Sequence, residues 1–191
     1  MRYTVPLSPI MLTCAMGLAS HTLVVAQELG HPAANRIGPD KLYPKPSTPG
    51  KAETVKRADL TDEWECPTAI HKDTCTYSQS HRAVSKGTRT TVYDDYGVPQ
   101  ASRNIRKGEI DHFDPLCNGG SNDIQNLWYQ PIKNDWKGKN YGFKEKDALE
   151  TWICAEVKAG RLDPKIAFQK ITEDWVKYYQ EVRPKKSKHN D

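Results

Sequence analysis

Two neighbouring side chains near the middle of the chain could do chemistry together. Asp111 and His112 stand side by side in Gly108-Glu109-Ile110-Asp111-His112-Phe113-Asp114-Pro115-Leu116. The chain then continues Cys117-Asn118-Gly119-Gly120-Ser121-Asn122-Asp123-Ile124-Gln125-Asn126-Leu127-Trp128. Aspartate is a hard oxygen donor suited to Mg²⁺, Mn²⁺ or Ca²⁺. Histidine near its ordinary pKa is the usual side chain for taking a proton from water. A carboxylate for a metal and an imidazole for a water are two of the parts needed to hydrolyse a phosphodiester, the metal stabilising charge on the phosphate and the leaving oxygen. Neighbours on a regular strand point to opposite faces. Both can serve one site only if the strand ends there and the chain bends, as Pro115 and Gly119-Gly120 suggest. By spacing alone the signal is weak, because an isolated Asp-His pair is more often a surface or structural pair.

The whole string is more specific. Glu109-Ile110-Asp111-His112, Pro115-Leu116, Gly119-Gly120-Ser121-Asn122-Asp123-Ile124 and Asn126-Leu127-Trp128 together resemble the HNH endonucleases of the His-Me finger (ββα-metal) group, especially a small bacterial branch with an Asp-His core. The resemblance continues in Lys146-Asp147-Ala148-Leu149-Glu150 and in Ala167, Gln169 and Asp174-Trp175, covering roughly residues 91–179, about half the chain. It implies that His112 is the general base, that Asp111 ligates a divalent metal, and that the amide of Asn126 ties the hairpin strands together and helps orient the histidine. Mg²⁺ is the expected cofactor, with Mn²⁺ as the substitute. DNA, or nucleic acid generally, is the expected partner, cut to leave 5′-phosphate and 3′-hydroxyl ends. Gly119, Gly120 and Ser121 read as hairpin-loop structure, and Trp128 as core.

At its third position the chain departs from the family pattern. The expected histidine or asparagine ligand falls on Lys144, and a protonated lysine has no lone pair to give a metal. Three readings stay open. Asp147, one helical turn on, could reach the metal, although a salt bridge or a helix-start acid is its commoner role. Asn140 could be the ligand if the alignment shifts, since residues 132–140 look like an insertion. Or Asp111 holds a weakly bound Mg²⁺ with waters, and Lys144 faces a phosphate oxygen as a point charge. Arg106 and Lys107, just before the hairpin, are the other candidate phosphate contacts. Arg82, Lys86, Arg89, Arg103, Lys133, Lys137 and Lys139 are weaker ones, each as readily explained as a solvated surface cation. No second recognition element is visible, so little sequence specificity is expected. His81 reads as ordinary surface chemistry, His71 shows no partner, and His31 and His189 fall near the ends.

The ends bound the rest. Arg2 is the only charge in residues 1–26, an apolar run follows, and Val24-Val25-Ala26 reads as a cleavage site, so 1–26 is read as a secretory signal peptide and not an anchor. Losing Arg2 lowers the formal charge from +4 to +3, a mildly basic balance that permits a polyanion without demanding one. Residues 27–60 are rich in Pro, Gly, Lys and Asp and read as a flexible lead-in, 61–182 as the nuclease domain, and 183–191 as a basic flexible tail. Four cysteines remain beyond the signal peptide, which in an exported chain suggests two disulfides with three possible connectivities. The expected pairing is Cys66–Cys75, closing a short loop, and Cys117–Cys154; a zinc site is disfavoured because no C-x-x-C pair exists.

The elements that must position the site follow from periodicity. Arg89 to Tyr93, β-branched and aromatic, reads as a strand before a turn at Asp94-Asp95-Tyr96-Gly97. Glu109 to His112 and Asn126 to Tyr129 are two more strand candidates. From about Phe143, Leu149, Trp152, Ile153 and Val157 recur at helical spacing up to a stop at Gly160. Asp163 and Pro164 then open a second helix with the stripe Ala167, Phe168, Ile171, Trp175 and Tyr178. The expectation is an α+β domain with a His-Me finger core, further short strands and two C-terminal helices, stapled by disulfides. It is expected to be a monomer, secreted or periplasmic, off the membrane once the signal is cleaved, with an inhibitor or immunity partner left open. The competing expectations are a weakened His-Me fold that only binds nucleic acid or protein, and a secreted interaction protein in which the motif is scaffold.

Overall fold

The computed structural model describes residues 42–184 except 54, 56, 68–71 and 73. The expected signal peptide, residues 27–41, the tail beyond Pro184, and His31, His71 and His189 lie outside the described residues. The order is α1 (Arg57–Thr61), β1 (Trp64–Glu65), β2 (Thr74–Cys75), α2 (Tyr77–His81), α3 (Lys86–Asp95), β3 (Gly108–His112), β4 (Leu127–Pro131), β5 (Asp135–Trp136), β6 (Lys139–Asn140), α4 (Phe143–Lys158) and α5 (Pro164–Val182). The strands form three separate antiparallel pairs, β1–β2, β3–β4 and β5–β6, so the fold is mixed α+β with small sheets.

Both faces of the β3–β4 pair are covered. In its register Glu109 faces Gln130, Asp111 faces Trp128, and His112 faces Leu127. Alternation therefore puts Glu109, Asp111, Trp128 and Gln130 on one face, and Ile110, His112, Leu127 and Tyr129 on the other. Trp128 joins the main core with Leu149, Ile153 and Val157 of α4 and Ala167, Ile171 and Trp175 of α5. Ile110 and Leu127 pack with Val92, Tyr93 and Val98. Asp163 caps α5 by accepting from the Lys165 N–H at 2.8 Å, as its position before Pro164 suggests. Inside α5, Asp174 leaves helical geometry (φ −158°, ψ 89°). Its Oδ1 accepts from Lys177 N at 2.9 Å and from the Tyr43 hydroxyl at 2.8 Å, capping the second half of the helix.

Two expectations change. Residues 89–93 lie within α3 and are not a strand. Ser85 caps that helix by accepting from Thr88 N at 3.0 Å, and the hydroxyls of Thr90 and Thr91 bond back to the carbonyls of Lys86 and Gly87. Burying Val92 and Tyr93 on the β3–β4 pair outweighs their strand preference. The lead-in also packs from residue 42 onward, so the domain begins before residue 61. Leu42 is 0% exposed and accepts from Trp175 Nε1 at 2.7 Å through its carbonyl. Further along, Glu53 N donates to Gly119 O at 2.7 Å, and Ala52 bridges to Gly120.

Both disulfides form as Cys66–Cys75 and Cys117–Cys154. The first joins the β1–β2 region; the second ties the turn after β3 to the middle of α4. Two such bonds are consistent with an extracellular or periplasmic protein. Among the described residues, no helix is long and apolar enough to cross a membrane.

Candidate functional site

β3 ends at His112, and the bend predicted after it is built around two glycines. Gly119 takes φ +93°, a left-handed conformation that favours glycine. A Cβ on Gly120 would fall 1.9 Å from the Asp114 carbonyl oxygen and 3.0 Å from Asn126 Nδ2, so only glycine lets the loop close. Asn126 sits at the centre of that loop. Its Oδ1 accepts from Asp114 N at 2.9 Å and Lys51 N at 3.2 Å, and its Nδ2 donates to Asp114 O and Ser121 O, both at 2.9 Å. Every hydrogen-bonding position of the amide is used. Asn126 thus braces the loop that carries the chain from β3 to β4, and adds a tie to the N-terminal segment that sequence reading did not foresee.

His112 is 2% exposed. Its Nε2 lies 3.1 Å from Asn122 Oδ1. That oxygen also accepts from Ala83 N at 3.2 Å, while Asn122 Nδ2 donates to His81 O at 2.8 Å, which fixes the orientation of the amide. An oxygen can only accept, so Nε2 carries the hydrogen and Nδ1 keeps the lone pair. Burial pushes the His112 pKa down to about 4, against the opposing pull of the Asp111 charge and the Asn122 bond. The ring is neutral at physiological pH.

Asp111 faces away from the imidazole, toward α4. Its Oδ1 accepts from His112 N at 2.8 Å and its Oδ2 from Lys146 Nζ at 2.8 Å. Lys146 is 0% exposed and spends its remaining hydrogens on the His112 carbonyl at 2.6 Å and on Glu150. Burial would lower its pKa, but Asp111 and Glu150 raise it further than burial depresses it. Glu150 in turn is raised by burial and by the Asp111 charge, against the opposing pull of Lys146. On the same face Glu109 is raised to about 7 by burial, then by the charges of Asp111 and Asp147. Opposite Glu109, the buried Gln130 amide has no hydrogen-bond partner at either atom.

The other expected residues are scattered. Asn140 spends its amide on its own hairpin, accepting from Asn134 N at 3.1 Å and donating to Ile132 O at 3.4 Å. Asp147 lies close enough for its charge to raise the pKa of Glu109 and Glu150. Lys144 is exposed in the first turn of α4. Arg106 and Lys107 are exposed in the turn just before β3, at the opposite end of the strand from His112. Arg82 is the exposed cation whose charge acts on both His112 and Glu109. His81 is structural, stacked on Tyr77 with centroids 3.9 Å apart and edge-on to Trp64.

A divalent ion at Asp111 would need an open carboxylate oxygen and partner ligands. Oδ2 already faces a buried ammonium, and Oδ1 accepts from the His112 N–H. With Lys146 paired in this way, these side chains do not fit a resident metal. Sequence reading missed Lys146 and Asn122 as site residues and ranked Arg82 only among the weaker phosphate contacts. The available signals were the i, i+4 spacing of Lys146 and Glu150, and the position of Asn122 directly after the Gly-Gly-Ser turn. The chain matches no protein-family model, no curated protein and no solved structure.

Proposed function

We propose that the chain is an exported endonuclease that hydrolyses phosphodiester bonds of DNA, or of nucleic acid generally, with little sequence specificity. The observation that carries this reading is His112: a neutral imidazole at the end of a hairpin strand, held through Nε2 so that Nδ1 keeps its lone pair. That is the protonation state and tautomer a general base for water requires. Asn126 and the glycine loop hold the strand end on which the base sits. Arg82 is the nearby cation suited to a phosphate. At 2% exposure His112 is almost closed off from bulk water. That same burial favours the second reading, a nucleic-acid-binding module without turnover.

Supercoiled plasmid and a structured RNA, incubated with the oxidised protein in Mg²⁺, Mn²⁺ or EDTA, test the choice. Nicks bearing 5′-phosphate ends in any arm support the enzyme. A folded sample that binds the plasmid and never cuts it points to the binding module.

A further inference from the structure

Lys146 is the side chain in this site whose surroundings are least like those of its type. Lysine is almost never fully buried unless paired, because stripping water from an ammonium is expensive. Here it is 0% exposed and every N–H is matched: Asp111 Oδ2 at 2.8 Å, the His112 carbonyl at 2.6 Å, and Glu150 one turn along α4. Those partners are the two adjacent residues of the candidate site plus one acid on the helix behind it. An ammonium with three oxygen neighbours from a strand end and a helix does what a hard cation does there. It neutralises the Asp111 carboxylate and fixes the peptide that carries the imidazole.

We propose that Lys146 is the resident cation of this site, holding Asp111 and positioning His112 through its main-chain carbonyl, so that Asp111 takes no divalent ion while Lys146 is in place. The cation-binding half of this statement stands on geometry alone; the positioning of His112 for catalysis rests on the endonuclease reading. A metal could reach Asp111 Oδ2 only by displacing the ammonium, and two cations sharing one carboxylate oxygen in a buried setting repel strongly. Removing the ammonium while keeping an apolar stem, as in Lys146→Met, leaves Asp111 and Glu150 facing each other with Glu109 and Asp147 close by. That arrangement should accept a metal.

The test is Mn²⁺ binding followed by electron paramagnetic resonance on the oxidised wild type, Asp111→Asn, Lys146→Met and the double variant. Wild type and Asp111→Asn should bind Mn²⁺ equally weakly. Lys146→Met should gain a site at least tenfold tighter, lost again in the double variant. A wild-type site that Asp111→Asn weakens tenfold or more overturns the proposal, and so does a folded Lys146→Met that gains no site. If Lys146→Met does not fold, the wild type against Asp111→Asn decides. Because the readout is metal binding and not cleavage, it stands whether or not the chain proves to cut nucleic acid.

Discussion

His112 and Asp111 are neighbours whose side chains serve opposite faces of one strand, and the acids around them show what that burial costs. Asp114, two residues past the imidazole, is fully buried, with Oδ2 unpartnered and Oδ1 accepting from Asn118 Nδ2 at 2.8 Å. Burial pushes its pKa up to about 7 from 3.8, against the pull of the Asn118 bond and the Lys146 charge. A carboxyl whose folded pKa is raised stabilises the fold below its unfolded pKa, and that stability is lost as pH rises through the folded pKa. The loss therefore falls between about pH 4 and pH 7, on the order of 4 kcal/mol at full extent. Asp114→Asn keeps an acceptor for Asn118 and cannot ionise. Its stability relative to wild type should rise by several kcal/mol between pH 5 and pH 8, read from urea midpoints. An equal difference at both pH values would show that Asp114 ionises freely in the fold. His112 works in the other direction. Its folded pKa, near 4, is depressed, so its contribution is present above pH 6.5 and lost as pH falls toward 4.

At the scale of elements, the Cys117–Cys154 bond links the loop braced by Asn126 to α4, two turns beyond Lys146. It spans a sequence separation of 37, for which a chain-entropy treatment gives a stabilisation of about 4 kcal/mol. Cys117→Ser/Cys154→Ser should lower unfolding stability by about that amount in guanidinium titrations of protein that retains Cys66–Cys75. An unchanged midpoint would mean that packing of α4 on β3 and β4 holds the two together unaided. The elements legible in the sequence are those whose pattern and partners are local. β3, β4, α4 and α5 all fall within a residue or two of their expected positions because alternation, helical spacing and the Asp163-Pro164 start are short-range signals. α3 was not legible, since a β-branched run gives no warning that Ser85 will cap it and that the threonine hydroxyls will satisfy themselves within a helix. Lys146 was visible as a residue but not as a site, because lysine as a type predicts solvent and only its three-dimensional partners bury it.

Across the whole molecule, the segment from Leu42 to Glu53 explains why composition misled. Tyr43 bonds Asp174 and Leu42 bonds Trp175, contacts between residues more than 130 positions apart, while Lys51 N donates to Asn126. A Pro- and Lys-rich stretch carries no local sign that such distant partners exist. The result is a strap that joins the last helix to the candidate site, so the site's rigidity depends on the full length of the domain. In the proposed reaction His112 Nδ1 removes the proton from the attacking water. The most direct measurement is the initial rate of plasmid nicking by oxidised wild type beside His112→Ala, with plasmid binding measured on both. A loss of about 10² to 10⁴-fold in rate with binding unchanged is expected. A His112→Ala rate within threefold of wild type would contradict it.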